Sequence, residues 1–273
     1  MLAAVVSPEL TWSPEPSVLL GVFILATLYV TAWHRARNAR ERRPPSAGRL
    51  LLFGAGLLAI LLALVSPLDQ LGSQLFVMHM LQHILLLDIA PILMILGLTK
   101  VLLRPVTARL RSLERHAGYL GHPVFAVLAY AGLLWLWHIP AMYDAALRDP
   151  AVHVLEHVCF TAAGALYWWH LLSPIRSRMR LGGLGPIAYM ISTRLLVGVL
   201  GIVLAFAPHA LYPFYEHRPR YLGLAAADDQ SLAGLLMALE QSIVMGIALV
   251  ILFVQMLSES ERDAQRAERF EVA

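Results

Sequence analysis

The stretch Ser73-Gln74-Leu75-Phe76-Val77-Met78-His79-Met80-Leu81-Gln82-His83-Ile84-Leu85-Leu86-Leu87-Asp88-Ile89-Ala90-Pro91-Ile92-Leu93-Met94-Ile95-Leu96-Gly97-Leu98 decides how the chain is read. It is long and apolar enough to cross a bilayer, which takes about 20 residues. It also carries two histidines four apart, and four residues are about one helical turn, so both imidazoles leave one face of the helix. Imidazole is costly in hydrocarbon unless it is paired or bound. Pro91 predicts a kink or tilt within the span.

Working outward, apolar blocks of similar length recur at about 17–33, 49–66, 73–98, 121–139, 151–173, 184–207 and 231–257. The chain is 59% hydrophobic and 14% charged, whereas an ordinary soluble domain is about one quarter charged. These features predict an all-α integral membrane protein, a seven-transmembrane-helix bundle forming one domain over residues 1–257. A charged, cytoplasmic tail follows over 258–273. Met1 to Ser17 holds Glu9 and Glu15 but no basic residue, so it lacks the n-region of a secretory signal and the first span is expected to be retained. Cys159 stands alone within the fifth block, which excludes an intramolecular disulfide and a dithiolate metal motif.

The basic residues alternate between loops. Arg35, Arg37, Arg40, Arg42, Arg43 and Arg49 follow the first span; Lys100, Arg104, Arg109, Arg111 and Arg115 follow the third; Arg176, Arg178 and Arg180 follow the fifth. The intervening loops are poor in basic residues, so the N-terminus is expected outside and the C-terminus in the cytoplasm. The pI of 9.2 is then a topology signal, and nucleic acid is not an expected partner.

With that orientation, His79 and His83 lie roughly 10 and 15 Å from the outer start of their span. His153 and His157, again four apart, occupy the first turns of the fifth block, and His138 ends the fourth beside Trp135 and Trp137. Five imidazoles thus meet at one depth, which points to a metal. The predicted ligands are His79, His83, His153, His157 and His138, with Met80 beside His83. Imidazole with thioether suits Cu(I), whereas imidazole alone also suits zinc or Cu(II). Met78, Glu156, Met237, Asp229 and Gln230 are candidates for a supporting shell or an exit path. The last span places Gln230, Gly234, Met237 and Gln241 on one stripe. His170 and His209 read as singly satisfied histidines, and His34, His116, His122 and His217 as loop or interface residues. Arg194, Glu240 and Asp88 are intramembrane charges read as a structural ion pair, with Asp88 facing away from His79.

Two other classes compete for the same histidines. His153-Val154-Leu155-Glu156-His157 matches the H-x-x-E-H pattern of zinc peptidases, in which the glutamate is the base. That reading leaves His79, His83 and His138 without a role. A membrane b-type haem needs histidines returning to one face about fourteen apart, whereas His157 and His170 are thirteen apart and about 140° off. With no activated nucleophile, catalysis is not expected. A proton or ion transporter would show discontinuous helices and repeated halves, which are not evident.

In order along the chain, Ser66-Pro67, His79-Met80-Leu81-Gln82-His83, Ala90-Pro91, Gly97, Trp137-His138-Ile139-Pro140, Tyr143, His153, Glu156-His157, Trp168-Trp169, Asp229-Gln230, Gly234 and Met237 resemble the caa3-type cytochrome c oxidase assembly factor family, CtaG. Two positions depart from the pattern: Leu98 stands where proline is expected, and Ala238 where an aromatic is common. The resemblance implies a multi-pass protein of the bacterial plasma (inner) membrane that helps metallate a haem–copper oxidase. Its implied partners are the oxidase's copper-containing subunit and an extracytoplasmic copper donor, with a homo-oligomer left open.

Overall fold

The computed structural model describes residues 6–39, 44–175 and 181–271, and among these the chain is helical, with a single isolated bridge between Val6 and Tyr221. Helices stand at each of the seven apolar blocks: α1 (Pro16–Asn38), α2 (Ala47–Leu64), the composite Phe76–Gly97, α8 (Pro123–Trp137), α10 (Pro150–Leu172), α11 (Gly185–Phe206) and α13 (Ala226–Glu271). Short helices lie between them: α3 (Pro67–Gly72), α6 (Lys100–Leu103), α7 (Thr107–Ala117), α9 (Pro140–Arg148) and α12 (Pro213–Glu216). Arg40, Arg42, Arg43, Arg176, Arg178 and Arg180, which support the expected orientation, lie outside the described residues.

Among the described residues, five helices are long and apolar enough to cross a membrane, or six if the Lys100–Gly121 and Pro123–Trp137 segments, bent by 63°, count as one span. The seven expected spans therefore divide unequally. Residues 123–137 are shorter than the expected 121–139, and α10 dilutes its apolar face with His153, Glu156, His157, Thr161 and His170. The outer faces are compatible with a multi-pass membrane protein. Leu195, Val199, Ile202 and Phe206 on α11 and Ile243, Ile247, Val250 and Val254 on α13 are exposed, far more contiguous apolar surface than a soluble monomer leaves uncovered.

The composite helix Phe76–Gly97 is the centre of the bundle, with 56% of its span buried against 6% for α1. It consists of α4 (Phe76–Ile84), a π-helical turn (Leu85–Ile89) and α5 (Ala90–Gly97). The expected kink takes this form for a reason. Pro91 has no N–H for the Leu87 carbonyl, and its ring clashes with that carbonyl in a regular helix. The Ala90 N–H reaches back to the Leu85 carbonyl instead. Leu87 then lies against Gly164 of α10, where an added Cβ would collide with the Leu87 carbonyl. This close approach seats α10 on the π turn and α5, while α2 packs on α5 and α13 on α4. Across the bundle Gly234 of α13 meets the Gly201 and Ala205 backbone of α11 in the same way.

The intramembrane charges are arranged differently from expectation. Asp88, carried by the π turn, accepts from Tyr130 Oη at 2.8 and 2.7 Å and from Trp168 Nε1 at 2.7 Å. Arg194 donates to Ser242 Oγ at 2.9 Å, and among the described residues no salt bridge joins it to Asp88 or Glu240. Glu240 and Ser242 are two residues apart, about 200° around the helix. Arg194, on the lipid side of α11, therefore meets the outward serine while Glu240 is buried inward.

Candidate metal centre

Two helices supply the polar cluster, and each is held at its start by an aspartate. Asp229 of α13 accepts from the Phe76 and Val77 N–H groups at 2.6 and 3.0 Å, capping α4. Asp149 accepts from the Ala151 and Val152 N–H groups at 2.8 and 3.3 Å, with Pro150 at the first position of α10. Each cap satisfies N–H donors that a helix start leaves without partners. One turn inward α4 presents His79 and His83, and α10 presents His153, Glu156 and His157. Gln82, on the other side of α4, ties it to the Ala63 carbonyl at 2.8 Å and to Asp69 at 3.0 Å.

The structure brings both histidine pairs together. One ligand atom from each of His79, His83, Glu156 and His157 lies within 4.8 Å of the other three, and all four residues are buried. His79 Nε2 and His83 Nε2 each stand 3.6 Å from an oxygen of Glu156. His153 lies at the edge of the group, half-buried, its ring 4.2 Å from that of His157 and 5.4 Å from that of His79. The expectation that Glu156 supports a neighbouring histidine is refined: its two oxygens each stand 3.6 Å from an imidazole of α4.

Both ring nitrogens of His79 and His83, Nε2 of His153 and His157, and both Glu156 oxygens are buried with no hydrogen-bond partner. Native interiors satisfy the large majority of buried side-chain polar atoms. Eight orphans in one place form a donor set of nitrogen and carboxylate oxygen, the kind that holds a divalent or soft transition metal. Ligands around a tetrahedral ion at about 2.1 Å are about 3.4 Å apart. The two histidine-to-glutamate separations of 3.6 Å are close to that spacing, and the full set of four donors lies within 4.8 Å.

His138, the C-cap of α8, comes to the same end of the bundle. Its ring is 6.3 Å from that of His83, and its Nε2 is 3.2 Å from Met80 Sδ. Met237 lines the cavity next to these two. Met78 is half-buried and outside the cluster. Gln230 bonds the Leu211 N–H and the Leu204 carbonyl, and so fixes the loop after α11 rather than a ligand. His209, His34, His116, His122 and His217 are exposed. His170 lines a separate cavity with Arg49 and Lys100.

The site has an aromatic wall that the sequence reading did not find. Tyr143 of α9 packs 5.1 Å from His79, and Phe76, Tyr212 and Tyr215 pack around it. Tyr215 donates to the Gly72 carbonyl at 2.6 Å and Tyr212 to the His138 carbonyl at 3.1 Å. Burial pushes the Tyr143 and Tyr215 hydroxyls well above the ordinary phenol range, so they remain neutral donors. The sequence signal is Tyr143 in the Trp137-to-Tyr143 segment; Tyr212 precedes and Tyr215 lies in the four-residue helix α12, too short to show periodicity.

Fold and site together define a multi-helix protein of membrane character with a buried histidine–glutamate cluster at one end. A model of the cytochrome c oxidase caa3 assembly factors (Caa3_CtaG) matches residues 27–259, and the chain belongs to that family. Uncharacterized proteins of Mycobacterium leprae (strain TN) and Mycobacterium bovis are each 23% identical to it over 94% of this chain. The chain spans 41% of the length of these curated relatives. No solved structure matches the chain.

Proposed function

We propose that this assembly factor binds copper at the cluster and passes it to the copper-containing subunit of a haem–copper oxidase. The observation that carries the reading is the convergence of His79, His83, Glu156 and His157, with both nitrogens of His79 and His83, Nε2 of His157 and both Glu156 oxygens lacking a hydrogen-bond partner. Donor atoms within 4.8 Å of one another from four side chains also leave no plane for a porphyrin, which weighs against haem.

The reading takes the bundle as seven spans in a bacterial plasma membrane, N-terminus outside, because basic residues crowd alternate loops. The cluster then lies toward the outer face. A bare cation entering low dielectric must give up its hydration. A donor whose ligands are already at that depth can hand the ion on by ligand exchange.

Metal analysis of the purified full-length protein tests the site. Wild type should retain copper through gel filtration, and His79→Ala with His83→Ala should lose most of it, while His116→Ala should keep it. Equal copper in the double variant and wild type would remove the cluster from the account.

A further inference from the structure

Next to the cluster is a contact that ordinary hydrogen bonding does not explain. His138 Nδ1 lies 2.7 Å from the Leu134 carbonyl, which only accepts, so Nδ1 carries the ring hydrogen. In the neutral imidazole Nε2 is then a bare lone pair, and it faces Met80 Sδ at 3.2 Å. A thioether has no hydrogen to give either. Both residues are buried, Met80 at 1% and His138 at 6% exposure. Two lone-pair donors aimed at each other in an apolar interior are the arrangement a soft cation would join.

The contact opens on a cavity of ≈ 20 Å³, room for about one water molecule or one ion. Met80, His83 and His138 line one part of it, and Met237, Glu240 and Gln241 of α13 line another. Glu240 Oε1 and Gln241 Oε1 are buried there without hydrogen-bond partners. His83 belongs to both this cavity and the glutamate-centred cluster, so the two share a wall. Their chemistry differs. The cluster offers imidazole and carboxylate, and the Met80–His138 side of the cavity offers imidazole and thioether, a pair that favours Cu(I) over divalent ions.

We propose that the chain holds two metal positions, the second being a monovalent-copper site made by Met80 Sδ and His138 Nε2, with Met237 across the cavity. It rests on the copper reading of the neighbouring cluster and gives that reading a direction: the ion moves from the cluster past His83 toward α13. Ligands at about 2.0 Å for nitrogen and 2.3 Å for sulfur sit roughly 3.5 Å apart in a tetrahedral site. The observed 3.2 Å needs only a small opening of the Met80 side chain, whose three rotatable bonds permit it.

The test is X-ray absorption on the full-length protein in detergent, loaded with Cu(I) alone. Wild type should show a sulfur scatterer at about 2.3 Å and about two bound copper ions. Met80→Leu keeps side-chain volume; it should lose the sulfur scatterer and about half the copper. Zn(II) binding at the cluster should be unchanged, which also reports that the variant is folded. If Met80→Leu does not accumulate, selenomethionine-labelled wild type reads the same contact as copper–selenium scattering. Copper bound with only nitrogen and oxygen neighbours, or sulfur scattering that survives Met80→Leu, would overturn the second site and leave the cluster standing. Wild type that takes up no Cu(I) would overturn the copper reading as well.

Discussion

Glu156 illustrates how much one residue can hide in a sequence. At its position in His153-Val154-Leu155-Glu156-His157 it can be read as the base of a zinc-peptidase pattern or as a support to a neighbouring histidine. Only the packing of α10 against the π turn puts its carboxylate 3.6 Å from two imidazoles of another helix. A charge that close favours a bound cation beyond what its ligand count supplies. Glu156→Gln keeps the shape and removes the charge. Metal affinity, measured by competition with a chromophoric chelator, should fall at least about tenfold. An unchanged affinity would mean the carboxylate is a spectator. Asp229 has the opposite character. It touches no candidate ligand, yet it caps the helix that carries two of them. Asp229→Ala should cost about 1–2 kcal/mol of stability, and bound metal should persist at lowered affinity. Complete metal loss with unaltered thermal stability would contradict a capping role and point to direct ligation.

At the scale of elements, the π turn Leu85–Ile89 was announced only as a proline-induced kink. The proline was readable, but the partner that makes room for the freed carbonyl, Gly164, lies far along the chain. No local pattern joins the two. The packing predicts contrasting effects for two alanine substitutions. Gly164→Ala puts a methyl group into the Leu87 carbonyl and should destabilise by about 1–3 kcal/mol. Gly132→Ala, where nothing lies within 4 Å, should be neutral or stabilising by up to about 1 kcal/mol. Thermal unfolding in one detergent compares them directly. Equal melting temperatures would show that α10 does not lean on the π turn as described.

Over the whole molecule, what was legible followed from periodicity and composition. Helices appear at every apolar block, and both histidine pairs turn to the same interior, because four-residue spacing fixes a face. Arg194 makes its direct contact with Ser242 rather than with an acid, since composition reports which charges fall in apolar blocks but not which side of a helix each one takes. The aromatic wall of Tyr143, Tyr212 and Tyr215 was invisible because it is assembled from two short helices and a loop. Orientation is the remaining large-scale reading. With Cys159 replaced by serine, single cysteines at Ser73 and Asp149 should react with an impermeant thiol reagent added from outside, and one at Arg178 should not. Reversed labelling would put the cluster on the cytoplasmic side and remove the delivery route.

The central claim is that copper reaches the oxidase through His79 and His83, and the copper content of the oxidase itself tests it most directly. Cells carrying His79→Ala plus His83→Ala, with the variant present at wild-type abundance, should assemble an oxidase that keeps its haem but lacks its buried copper. An oxidase purified from those cells with full copper and full activity would contradict delivery through this site.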